Sequence, residues 1–155
     1  MNLRIIERAP VSVVCLRYTG PLGQPLSRFW RITVNPWLAD LGLLDCPRYG
    51  VTLDNPLRTA PQLCRYDACV ELPPGLALDE AARTTIAGGS YAVASFKGDA
   101  ATIAAAWDGL AGAVFASGAW RIDDSRPAFE HFPRGAWLDP RSGAFACELC
   151  LPLTN

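Results

Sequence analysis

Two stretches of this chain match each other, and an internal repeat in so short a sequence constrains the fold more than any single motif. Val11-Ser-Val-Val-Cys-Leu-Arg-Tyr18 runs into Thr19-Gly20, and Gly89-Ser-Tyr-Ala-Val-Ala-Ser-Phe96 runs into Lys97-Gly98. Each reads as an apolar strand closed by a glycine turn, and the two glycines lie 78 residues apart. After Gly20, apolar residues at Leu26, Phe29, Trp30, Val34, Trp37, Leu38 and Leu41 recur at helical spacing up to Gly42, with a kink or break expected near Pro36. After Gly98, the series Ile103, Ala106, Trp107, Leu110, Ala111 and Val114 predicts a second helix, with Asp99 at its start and Ser117-Gly118 at its end.

Two strands are predicted after each helix. They are Arg48–Leu53 and Arg65–Leu72 in the first copy, and Ala128–Phe132 and Ala144–Leu151 in the second. The unit is therefore strand, helix, strand, strand, written twice, with repeat one at about 1–75 and repeat two at about 84–155. Pro73-Pro74-Gly75 marks the turn between them, and Leu76 to Thr84 reads as a short connection. One helix cannot cover a lone half's sheet, so the halves should pack into a single α+β domain. An approximate two-fold axis would then relate them, with a ligand cleft on the seam.

Composition narrows the partners. Lys and Arg total 14 against 15 for Asp and Glu, a net charge of −1 that provides no field for phosphate backbones or anionic lipid heads. Apolar runs such as Ile103 to Leu110 stop well short of the roughly 20 residues a bilayer span needs. Met1 to Pro10 carries Arg4, Glu7 and Arg8 and lacks the apolar centre of a secretory signal, which points to the cytoplasm. In that reducing compartment the six cysteines read as small buried apolar side chains rather than disulfides. Cys147 and Cys150 stand three apart on a strand and so face opposite sides, which argues against a shared metal. No metal or other cofactor is expected, and no phosphate-cradling loop is present; Ala87-Gly88-Gly89-Ser90 lacks the lysine and following helix.

Among residues able to carry chemistry, Glu130 stands out. It sits in Phe129-Glu-His-Phe132, where an ionised carboxylate would be costly to bury without a partner. Simple strand alternation offers the alternative that Glu130 and Phe132 face solvent while Phe129 and His131 face the core. The repeat places Tyr18, Tyr49, Trp107, Trp120, Trp137 and Phe145 near the seam, as flat walls for a planar or cationic guest. Trp30, Trp37 and Trp107, at helical spacing, also read as core packing. Arg65 and Asp67 share a strand face and read as a surface pair. His131 is the sole histidine, and its face should oppose that of Glu130.

An ordered series of pieces carries a family resemblance. Arg17-Tyr-Thr-Gly-Pro21, Trp37, Gly42-Leu43, Tyr49-Gly-Val51, Asp54-Asn-Pro56 and Arg65-Tyr-Asp-Ala-Cys-Val70 form its first part. Ala87-Gly-Gly-Ser-Tyr-Ala-Val93, Lys97-Gly98, Trp107, Ser117-Gly118 and Pro127-Ala-Phe-Glu130 complete it. From about Val11 to Leu153 the chain resembles the GyrI-like superfamily, which includes the effector-binding domains of AraC-type regulators. The resemblance implies a duplicated fold with a ligand cleft between the repeats, and a glutamate at position 130 that meets cationic or aromatic ligands. Two departures stand against it: Phe132 replaces a tyrosine common two residues after that glutamate, and no helix-turn-helix is recognisable in the chain.

The leading expectation is a stand-alone module that captures a small hydrophobic or cationic aromatic compound and is related to effector binding in transcription regulation. It would bind neither nucleic acid nor membrane itself. An enzyme is the alternative, a hydrolase of reactive electrophilic natural products like some relatives, with Glu130 as general base and Tyr49 or Tyr91 as proton donor. A third is a protein partner, such as the gyrase inhibition attributed to the family's namesake.

Overall fold

The computed structural model describes residues 3–76 and 82–154. Strands β1 (Leu3–Arg8), β2 (Val11–Thr19), β3 (Arg48–Thr52), β4 (Arg65–Glu71), β5 (Ala82–Ile86), β6 (Gly89–Gly98), β8 (Phe129–Phe132) and β9 (Phe145–Thr154) pair in the order β1-β6-β9-β8-β3-β4-β2-β5. The short β7 (Arg121–Ile122) lies against the end of β9, and every pairing is antiparallel. Helices α1 (Gln24–Phe29), α2 (Asn35–Asp40) and α3 (Ile103–Ser117) complete a mixed α+β fold, the class expected from sequence. No helix among the described residues is long and apolar enough to cross a membrane.

The six strands anticipated are present, and the sheet recruits more. β1 and β5 are polar on much of their length, with the sequences LRIIER and ARTTI, so neither shows the alternation of a half-buried strand. They form because each extends a sheet from the other half: β1 pairs with β6, and β5 with β2. The segment read as a connection, Leu76 to Thr84, is thus strand from Ala82 onward; residues 77–81 lie outside those described.

The first helix is interrupted earlier than Pro36 itself. A π-helical turn, Trp30–Val34, separates α1 from α2, and Pro36 sits in the first turn of α2. In an unbroken α-helix Pro36 would leave the Ile32 carbonyl without its N–H donor and crowd it with the ring; a widened turn just before removes that conflict. The second helix matches its expected span. Asp99 accepts hydrogen bonds from the amides of Ala101 (3.0 Å) and Thr102 (3.1 Å) in the entry turn, and Gly118 closes the helix at φ 65°.

Both faces of the sheet are buried. On one face α1, the π-turn and α2 cover Val14, Tyr66, Ala68 and Val70, while α3 covers Ala92, Ala94, Cys147 and Leu149. On the other face Val13, Tyr49, Val51, Tyr91, Val93, Phe129 and Cys150 form a cluster to which, among the described residues, no helix contributes. A flat sheet would leave that face wet, so its burial follows from the curl of the sheet on itself. Cys147 and Cys150 fall on opposite faces, as their spacing dictates.

One cysteine expectation is corrected. Cys15 and Cys69 are joined in a disulfide. They stand directly opposite on β2 and β4, a register that brings cross-strand side chains together and that sequence spacing does not reveal. Cys46, Cys64, Cys147 and Cys150 are free and buried. A second correction concerns Arg65 and Asp67, which do not pair with each other. Arg65 forks onto Asp54 (2.9 Å), and Asp67 takes Arg17 from the facing strand (2.9 Å), because a cross-strand partner lies closer than a residue two along.

Candidate functional site

Strands β3 and β8 pair at the middle of the sheet, with Arg48 opposite Phe132 and Gly50 opposite Glu130. Opposed residues share a face, and this set points toward the helices rather than to solvent. Tyr66 on β4 shares that side, since it faces Thr52 across the ladder. Above this floor, between α1 with the π-turn and the start of α3, lies a cavity of about 290 Å³. Leu26, Ser27 and Trp30 form one wall, and Ala100 and Ile103 the other. Phe145 and the segment from Trp137 to Gly143 form the end. That segment is a tight excursion, closed by hydrogen bonds from the Asp139 amide to the Ala144 carbonyl (2.8 Å) and from the Ala146 amide to the Trp137 carbonyl (3.0 Å). The Lys97 ammonium sits 4.4 Å from the Trp137 ring centroid and steadies it.

Glu130 lies on the floor, 9% exposed. The Tyr66 hydroxyl donates to its Oε1 at 2.7 Å, and the Trp30 indole N–H donates in turn to that hydroxyl at 3.1 Å. Among the described residues no cation lies within ion-pair distance of the carboxyl. Burial therefore dominates and raises its pKa to about 7, with the Tyr66 hydroxyl and the Trp107 indole pulling the other way. Tyr66, wholly buried beside this carboxylate, is held well above the ordinary phenol range and stays a donor. Gly50 makes the pair possible: a β-carbon there would fall 1.7 Å from the Tyr66 hydroxyl and 2.6 Å from Glu130 Oε1.

The structure brings Glu130, Trp137 and Phe145 together around the cavity and leaves the other four expected residues off its lining. Tyr49 falls on the opposite face because it sits one residue from Gly50; it stacks on His131 (5.0 Å between centroids) and donates to Glu71 (3.0 Å). Tyr18 packs on Phe29 and bonds the Pro21 carbonyl (2.6 Å). Trp120 belongs to the cluster beneath α3. Trp107 packs in that cluster too, but its indole approaches Glu130. Alternation along β8 is as expected, with the difference that the Glu130 side opens into a hollow rather than into water. His131, across the sheet, bonds Glu148 (2.8 Å).

Three residues at the cavity carry no functional signal in the sequence. Tyr66 has the pattern of a strand's alternating apolar positions, and Trp30 that of helix core. Arg48, at the start of a strand, resembles an ordinary surface charge. Only the central place of β3 in the sheet turns it inward.

A family model for the GyrI-like small molecule binding domain matches residues 1–154. The chain belongs to that family. Solved structures share the GyrI-like fold at low sequence identity. SAV2435 bound to tetraphenylphosphonium is 19% identical with a TM-score of 0.70, over 100% of this chain and 95% of that one. The EcmrR C-terminal domain is 13% identical with a TM-score of 0.71, over 99% and 98%. A hydrolase from Listeria innocua is 11% identical with a TM-score of 0.61, over 98% and 91%. No curated protein sequence matches this GyrI-like domain.

Proposed function

We propose that this domain captures a small aromatic compound in the hollow over β3 and β8, stacking it on Trp30, Phe132 and Phe145 with the Glu130 carboxyl meeting a donor or cationic group. The observation that carries this reading is a carboxyl, buried and without a cationic partner among the described residues, at the floor of a cavity of about 290 Å³, a volume at the small end of small-molecule sites. Tetraphenylphosphonium in SAV2435 supports an aromatic guest, and the likeness to the EcmrR C-terminal domain supports an effector-type role. Calorimetric titration with 2-(aminomethyl)naphthalene tests it: affinity should rise as pH crosses 7 and Glu130 ionises, and Glu130→Gln should flatten that rise. Equal affinity in both proteins at every pH removes the carboxyl from the mechanism.

The Glu130–Tyr66 contact also favours a second reading, a hydrolase in which Glu130 activates water and a tyrosine supplies the proton. Tyr66 suits that part better than Tyr49 or Tyr91, because it lines the cavity while those two belong to the cluster on the opposite face. Turnover of an electrophilic ring compound that vanishes in Glu130→Gln would distinguish reaction from capture.

A further inference from the structure

The hollow holds a second charge, and it is positive. The Arg48 guanidinium stands 5.5 Å from the Phe132 ring centroid and 6.0 Å from that of Trp30. Among the described residues its buried Nε has no hydrogen-bond partner, and its side chain makes one long bond, from Nη1 to Asn35 Oδ1 (3.4 Å). Burial lowers its pKa, yet an arginine keeps its charge. No carboxylate among those residues compensates it: Arg48 and Glu130 share a face on neighbouring strands but form no ion pair.

The lining as a whole has the same sign. Arg31 and Arg141 join Arg48, against Glu130 and Asp139. Asp139 is already engaged by the Ser142 hydroxyl (2.7 Å) and the Arg141 amide (3.0 Å). A guest therefore meets a surplus of positive charge even when Glu130 is ionised. The Trp30 and Phe132 ring faces that could cradle a cation are also partly occupied by the guanidinium.

We propose that Arg48 recognises the guest, so that the compounds taken by this domain carry an anionic group, such as a carboxylate, on their aromatic frame. This rests on the aromatic-capture reading above. A half-buried guanidinium with an unpartnered Nε and no counter-charge among the described residues is destabilising until something accepts its hydrogen bonds, and a carboxylate matches its planar fork. A purely cationic lipophile would gain at Glu130 and lose at Arg48. An aromatic carrying both a donor and an acidic group would satisfy the two.

Three probes on one skeleton separate these cases: 2-naphthoate, 2-naphthamide and 2-(aminomethyl)naphthalene, titrated calorimetrically at pH 6. At that pH Glu130, with a pKa of about 7, is largely protonated. The groups facing it keep their forms there: Tyr66 and Cys147 hold their protons, Asp139 is ionised, and Arg48 stays charged. The carboxylate should bind the wild-type protein about tenfold more tightly than the amide. In Arg48→Gln that preference should shrink to about twofold or less while the amide keeps its affinity. The wild-type comparison stands alone should the variant fold poorly. Tighter binding of the ammonium, equal affinity for all three probes, or an undiminished preference in Arg48→Gln overturns the role of Arg48 and leaves aromatic capture in place. Binding by none of the three overturns both.

Discussion

Replacing Gly50 with alanine is the sharpest probe of the site, because one methyl group is aimed at its central hydrogen bond. The added carbon would stand 1.7 Å from the Tyr66 hydroxyl and 2.6 Å from Glu130 Oε1, where real contacts are never so close. Neither group can step aside easily, since Tyr66 is 1% exposed and Glu130 9%. Overpacking of this kind costs about 1–3 kcal/mol. Separating Tyr66 from the carboxyl forfeits a charge-assisted hydrogen bond of about 1.5–3 kcal/mol. The sum is about 2.5–6 kcal/mol, a large fraction of the stability of a domain this size. Gly50 does not have a positive φ, so backbone strain does not contribute. Gly112 provides the control: it lies in α3 with nothing within 4 Å of where a β-carbon would stand, so alanine there should stabilise by about 0.5–1 kcal/mol. Urea denaturation of both variants measures the contrast. A Gly50→Ala protein within about 0.5 kcal/mol of the parent would refute the assigned packing of Tyr66 over position 50.

Three other outcomes are expected. The pKa of Glu130 is raised from 4.5 to about 7, so between those values the folded protein holds a proton the unfolded chain has released; stability should fall by about 3 kcal/mol as pH rises through that window and be level above it. Denaturation midpoints across pH 4.5–8 should show this slope in the parent and lose it in Glu130→Gln. Removing the Cys15–Cys69 link, which spans 54 residues, should cost about 2–4 kcal/mol in unfolding experiments on the double alanine variant, with probe binding unchanged because the bond lies on the face away from the cavity. Arg126 donates to the carbonyls of Gly88 (3.1 Å), Ser90 (3.3 Å) and Leu153 (2.7 Å), so Arg126→Met should lower stability by about 2–3 kcal/mol without altering affinity for the naphthalene probes.

What can be read from the sequence is what local spacing encodes. The apolar run of Ile103 to Val114 and the glycine after it define α3, and the alternation from Tyr66 to Leu72 defines β4. Glu130 is visible because a carboxyl between phenylalanines is anomalous wherever its strand runs. Long-range register is not visible. β1 and β5 have no pattern of their own, since their partners lie in the other half of the chain. Tyr49 draws attention away from Arg48 and Gly50 on the wrong parity: its ring is the conspicuous feature of β3, yet only the pairing of Gly50 with Glu130 says which face looks into the hollow. The Cys15–Cys69 bond is hidden for the same reason, because adjacency across a ladder leaves no trace in spacing.

The exchange of β1 and β5 between the two halves governs what this hollow can do with a guest. Like hands with crossed fingers, the halves cannot swing apart at the β3–β8 seam unless ladders at both outer edges tear together. A hinged jaw is therefore closed to this architecture. Accommodation of larger or smaller molecules falls to the widened turn at Trp30–Val34 and the excursion from Trp137 to Gly143, which border the opening without bearing the sheet.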